Sequence, residues 1–233
     1  MTDASSLWRR ESELFRYDLV MASCECSEAR SNKGSSAWHA MTSYLTRGGR
    51  LFGSDFMYVW YRYSTDTALS DALSITGAGP DGHSPLSIDP SQPHGRALAE
   101  WMGMMDPGAP YGEIGSREVF DNIASAASPA VKVWATSTSA RSSGPRPRIF
   151  TIDVPAGAPA GQQCGRAVHF DAHVAAATDA NSASRASARA AFPNGCGGDA
   201  LTSTERAAAY LFFNLASCLP SDAAPSPVPG NVP

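Results

Sequence analysis

The feature that most constrains this chain is a succession within its first 53 residues: apolar run, amphipathic segment, Gly-Gly, second apolar run. Residues 17–23 (YDLVMAS) show almost no polar alternation, the pattern of a strand covered on both faces, as in parallel sheets. Residues 37–46 (AWHAMTSYLT) place Trp38, Met41, Tyr44 and Leu45 on one side of a helix. Arg47, Gly48 and Gly49 close that helix in the expected C-terminal manner. Residues 50–53 (RLFG) form a second short buried strand. Strand, helix, strand in this order predicts a right-handed parallel crossover.

The rest of the chain extends the same plan. Residues 92–105 (QPHGRALAEWMGMM) predict a helix with Leu98, Trp101, Met102 and Met105 at helical spacing. That stripe reads as core packing. Strands are expected at 131–135, 148–154 and 164–170, and residues 68–93 read as an irregular excursion rich in Gly, Pro, Asp and Ser. A last helix opens at Leu201, with Thr202 at the cap and Glu205 three residues on, a capping-box signature. The fold class is therefore α/β with a mostly parallel sheet.

Composition narrows the function classes. The 233 residues carry a net charge of −4, and only 17% are charged. That mild acidity leaves no electrostatic footprint for nucleic acid. No apolar run reaches the roughly 18 residues of a membrane span. The length suits one large domain over 1–219, followed by a disordered Pro/Ala/Ser tail over 220–233. Residues 172–191 (AHVAAATDANSASRASARAA) offer no face to bury and read as a long surface loop. The opening MTDASSLWRRESELF has no apolar core of a signal peptide.

Polar clusters follow three of the predicted strands: Glu25 after the first, Asp55 after the second, and Asp171 with His173 after the last. In open α/β sheets, ligands bind beyond the carboxyl ends of the strands. Should these strands be neighbours, Glu25, Asp55 and His173 form a candidate catalytic group, serving as an acid/base set or holding a divalent metal. The alternative is that each caps its own turn and never meets the others. No HExxH or GxGxxG frame is present, so no organic cofactor is expected. Cys24 stands at a strand end, yet no GxCxG surrounds it.

The five cysteines leave two arrangements open. All remain reduced, or they pair according to the sheet edge on which each falls. Cys164 precedes its strand, and Cys218 ends the helix that returns beside it, so Cys164–Cys218 is feasible at the amino edge. Cys24 and Cys196 belong to the carboxyl edge, leaving Cys26 over.

The order YDLVMASCE, AMTSYLTRGGRLFGSDFMYVW, QQCGRAVHFDAHV, FPNGC and ALTSTERAAAYLFFNLASC resembles a group of uncharacterised bacterial secreted or lipoprotein-type proteins. These have a class I glutamine-amidotransferase-like, ThuA-like (trehalose-utilisation) domain of flavodoxin type. The match covers roughly residues 6–219. The resemblance implies a flavodoxin-like three-layer sandwich, an extracytoplasmic location, and a small-molecule or carbohydrate ligand at the carboxyl edge of the sheet. It also implies that glutaminase activity is absent, because Asp55 stands where amidotransferases carry their nucleophilic cysteine. The family's strand-end Cys-Glu falls on Cys24 and Glu25, and its closing polar-aromatic-His pattern on Asp171, Ala172 and His173. Relatives have a further strand and helix upstream, so the domain is expected to be amino-terminally truncated, or its sheet to lack its first, central strand. A hydrolase-type or sugar-modifying enzyme using Asp55, His173 and Glu25 is the second reading.

Overall fold

The computed structural model describes residues 5–23, 25, 27–116, 118–142, 144–174 and 201–216. Eleven strands are present among them: β1 (Leu19–Ala22), β2 (Arg50–Ser54), β3 (Leu73–Ile75), β4 (Pro80–Gly82), β5 (Leu86–Ile88), β6 (Glu113–Ile114), β7 (Val119–Phe120), β8 (Ile123–Ala126), β9 (Val131–Thr138), β10 (Pro145–Val154) and β11 (Gly165–Phe170). The helices are α1 (Ser5–Trp8), α2 (Glu11–Leu14), α3 (Ser35–Thr46), α4 (Val59–Arg62), α5 (Thr67–Ser70), α6 (Pro93–Met105) and α7 (Ser203–Ala216). The expected tail at 220–233 and most of the expected loop fall outside the described residues.

Seven strands form the central sheet in the order β1-β2-β11-β10-β9-β5-β6. β1, β2 and β11 are parallel neighbours, while the four remaining pairings are antiparallel. Five of the seven strands thus point one way, with β10 and β5 reversed. The expected parallel crossover is present as β1–α3–β2. The expected vacancy in the middle of the sheet is not: β2 is in direct register with β1 on one side and β11 on the other. β1 itself is an edge strand. Val20 and Ala22 are buried, whereas Met21 is 59% exposed. A strand covered on both faces was expected there, and the outermost position explains the difference.

Side chains alternate between two cores, as the period of a strand requires. Leu51, Phe150, Ile152 and Ala167 face a layer built on α3 and α4, with Met41, Tyr44, Trp60 and Tyr61. Phe52, Ile149, Val168 and Phe170 face α6 and α7, with Leu98, Met102, Leu211 and Leu215. Both faces of β2 and β11 are covered, which is why their sequences read as unbroken apolar runs. The arrangement is the three-layer α/β sandwich the sequence led us to expect. Among the described residues, no helix is long and apolar enough to cross a membrane.

Two glycines and one cap set the positions of β2 and β11. Gly48 closes α3 with φ +107°, and the Gly49 N–H donates to the Tyr44 carbonyl at 2.8 Å. A Cβ on Gly165 would collide with the carbonyl of Leu45, so only glycine lets β11 begin against the end of α3. At α7 the capping box forms as predicted. The Thr202 N–H donates to Glu205 Oε2 at 2.8 Å, and the Glu205 N–H donates to Thr202 Oγ1 at 3.3 Å.

Candidate functional site

β2 and β11 run side by side, with Gly53 opposite His169 and Ser54 opposite Phe170. The residues that follow them therefore emerge together at the carboxyl end of the sheet. After β2 the chain turns at once into a single 3-10 turn over Asp55–Tyr58. Asp55 opens this turn with φ +51°, a left-handed conformation that Asp tolerates better than most residues. After β11 the chain is clamped by a β7-side segment: Val119 bridges Ala172, and the His173 N–H donates to the Glu118 carbonyl at 2.9 Å.

This clamp brings two of the predicted site residues together. His173 Nδ1 lies 3.6 Å from Asp55 Oδ2. It also lies 3.6 Å from Glu118 Oε2. The Asp55 side chain is 2% exposed, that of His173 35% and that of Glu118 43%. The His173 ring stacks on Phe120 at 6.1 Å, and Phe120 meets Phe56 edge-on at 5.8 Å. The result is a buried carboxylate behind a half-exposed imidazole, with a second carboxylate and two aromatic rings beside it. A carboxylate accepts hydrogen bonds, and an imidazole can donate or accept according to its tautomer.

Glu25 is engaged elsewhere. Its Oε2 lies 2.5 Å from Lys33 Nζ, and the Lys33 side chain is fully buried. The ammonium sits 5.4 Å from the ring of Trp8 and 5.8 Å from that of Trp60, and donates to the Glu28 carbonyl at 3.3 Å. Glu25 thus neutralises a buried lysine, a requirement of any charge taken out of water. The place expected for it beside His173 is taken by Glu118, which lies in a polar stretch with no sequence signal to mark it. Lys33 likewise stood out only as one of two lysines in the chain.

Asp171 is also strand-terminal, but it is sealed in. Its Oδ1 accepts from Asn122 Nδ2 at 2.9 Å, and its Oδ2 from the Asn122 N–H at 3.2 Å. Arg148 Nη1 lies 3.4 Å from Oδ2. The buried Arg148 guanidinium also reaches Asp81 at 3.5 Å, Ser137 Oγ at 2.6 Å and the Phe120 carbonyl. Burial pulls Arg148 down from its ordinary value, and the carboxylates of Asp171, Asp121 and Asp81 work against that pull. His169, mid-strand in β11, faces the same carboxylate with Nε2 3.6 Å from Asp171 Oδ1.

Among the described residues, no group of three or more His, Cys, Asp or Glu side chains is disposed to hold a metal ion. Cys164 is exposed and carries a free thiol, while Cys24, Cys196 and Cys218, named above in the feasible pairs, lie outside the described residues.

No family model matches this chain, and no curated protein matches it. Among solved structures it is similar to a ThuA-like protein from Bacteroides uniformis, at 10% identity and a TM-score of 0.44 over 74% of this chain and 65% of that one. It is also similar to a cytoplasmic protein from Salmonella typhimurium, at 14% identity and a TM-score of 0.42 over 72% of this chain and 65% of that one. A catalytic mutant of a GH42 β-galactosidase from G. stearothermophilus follows, at 10% identity and a TM-score of 0.37 over 72% of this chain and 22% of that one. This chain spans 65% of the length of each of the first two.

Proposed function

We propose that this chain is a ThuA-like, extracytoplasmic bacterial domain that binds a neutral polyhydroxylated small molecule, of the carbohydrate class, at the carboxyl end of β2 and β11. The observation that carries this reading is the grouping of Asp55, Glu118 and His173 around one imidazole nitrogen, beside the rings of Phe120 and Phe56. Carboxylates accept hydrogen bonds from hydroxyl groups, and aromatic faces pack against the apolar face of a sugar. Two carboxylates disfavour an anionic ligand by like-charge repulsion. The extracytoplasmic placement rests on the family resemblance, and the Cys24–Cys196 pair on the sheet edge its members share; the free thiol of Cys164 removes the Cys164–Cys218 pair. Recovery of the chain only in a cytoplasmic fraction, with five free thiols on mass mapping, would contradict both.

The binding test is calorimetric titration with a panel of neutral sugars and polyols, and sugar phosphates for contrast. Saturable binding of a neutral compound is expected. Asp55→Asn, which keeps the left-handed turn accessible, should weaken it about 10- to 100-fold, the worth of one charge-assisted hydrogen bond. Absence of binding across the panel, or binding that ignores Asp55→Asn and His173→Ala, would overturn the proposal.

One observation favours the second reading, a hydrolase-type or sugar-modifying enzyme. A buried carboxylate faces Nδ1 of a half-exposed imidazole, leaving the ring's other nitrogen as a general base. Turnover of a bound sugar or glycoside that is abolished by His173→Ala would favour this reading; binding without turnover favours the first.

A further inference from the structure

Glu118 and Phe120 reach the site on a short strip of chain, residues 118–122. Its only strand, β7, is two residues long and pairs with the three-residue β4. So short a ladder fixes little by itself. Asn122, at the end of the strip, is fully buried, and its backbone and side-chain polar atoms are all in use. Its carbonyl accepts from the N–H groups of Thr76 at 2.8 Å and Gly77 at 3.2 Å. Its Oδ1 accepts from the Gly79 N–H at 3.1 Å. Its own N–H donates to Asp171 Oδ2 at 3.2 Å, and its Nδ2 to Asp171 Oδ1 at 2.9 Å. One residue thus joins three segments: residues 76–79, the strip, and the exit of β11.

Asp171 carries that hold into the site. Its N–H donates to the Arg148 carbonyl at 2.7 Å, and its carbonyl accepts from the Phe120 N–H at 3.0 Å. Arg148 Nη1 donates in turn to the Phe120 carbonyl and stands 3.4 Å from Asp171 Oδ2. Val119 bridges Ala172, and the His173 N–H donates to the Glu118 carbonyl at 2.9 Å. The strip therefore runs antiparallel to the exit of β11, with Phe120 opposite Asp171 and Glu118 opposite His173. A slip of one residue would turn Glu118 and Phe120 to the other face. The Asn122 amide guards against that slip because it offers donors to the carboxylate and an acceptor to Gly79. A carboxylate in its place accepts only.

We propose that Asn122, acting through Asp171, is a positioning residue of the site: it holds Glu118 and Phe120 in register against His173 without touching a ligand. Its effect on affinity rests on the carbohydrate-binding reading, whereas the placement of Glu118 beside His173 belongs to the chain alone. If Asn122 only filled the interior, its loss would lower stability and leave the surroundings of His173 unchanged.

A reciprocal exchange tests it. Asn122→Asp sets two carboxylates against each other, and Asp171→Asn sets amide donors against amide donors. The double variant again faces a donor with an acceptor, keeps the charge, and keeps an acceptor for the Gly79 N–H. Proton–nitrogen NMR of the ligand-free chain reads the His173 ring signals, and hydrogen exchange reads its amide. Each single variant should shift the ring signals and speed exchange at the amide about 10-fold beyond the change in global unfolding. The double variant should return both to their original values. Single variants that lower the urea midpoint but leave the His173 signals in place would overturn the proposal. So would a double variant that fails to fold, or one that regains stability without regaining those signals. Calorimetry with a neutral sugar that the unsubstituted chain binds should show affinity about 10-fold weaker in each single variant and restored in the double. Undiminished affinity in both single variants counts against positioning. His173 signals that respond as expected, in a chain that binds no sugar, uphold the positioning and overturn the binding reading instead.

Discussion

Asp55 with His173 and Asp171 with His169 are two acid–imidazole pairs built from the same residue types, the first joining the ends of β2 and β11, the second along β11 alone. Each pair is 3.6 Å apart. The difference lies in what surrounds them. Asp171 is closed over by Asn122 and Arg148, and both members of its pair are fully buried. The Asp55 pair has a buried carboxylate but an imidazole and a second carboxylate that reach solvent. Residue type therefore does not separate scaffold from site here. Access to solvent does, because the sealed pair exposes neither member, whereas the other presents an imidazole and a second carboxylate.

The strongest way to break this comparison is to remove the partner of the sealed pair. Arg148→Met leaves the buried Asp171 carboxylate without its guanidinium, and Asp81 with only Arg141 at 3.8 Å. It should cost about 3–5 kcal/mol in urea denaturation, the usual loss when one member of a buried ion pair is removed. A loss below about 1 kcal/mol would mean that the network is not structural. A second test reads the tyrosines on the two faces of the sheet. Burial raises the phenols of Tyr44, Tyr58, Tyr61 and Tyr210 above the ordinary value of 10.0. Above about pH 10 the unfolded chain releases these protons while the folded one keeps them. Their contribution is therefore complete below pH 10 and is lost as pH rises, by roughly 1.4 kcal/mol per pH unit for each tyrosine still held protonated. Tyr61→Phe should flatten that decline, and an unchanged slope would contradict the burial of its hydroxyl. The smallest effect on stability belongs to the open pair. His173→Ala should shift unfolding by no more than about 0.5 kcal/mol, as at sites free of core or buried-network roles. A large loss would make His173 scaffold.

Much of this was legible in the sequence, and the reasons for the rest are physical. The β1–α3–β2 crossover, α6, β11 and the capped start of α7 follow from periodicities and end signals that lie within a few residues of one another. The direction of β10 and β5 does not, because a strand carries no local mark of its orientation in the sheet. Residues 68–93 read as irregular because β3, β4 and β5 are three residues long, too short to show a period. At the site, Asp55 and His173 were found by their positions after strands. Glu25 shared that position and was claimed instead by Lys33, eight residues away. Glu118 comes from a connecting segment that only the folded chain brings to β11.

The adjacency of β2 and β11 also has a temporal side. Residues from Ser54 to Gly165 must leave the ribosome before the two strands can meet. Over that span a nascent chain can pair β2 with β1 but not with β11. The turn at Asp55 gains its imidazole only with the arrival of His173. The grouping of Asp55, Glu118 and His173 is therefore assembled late, because no amino-terminal half of this chain can contain it.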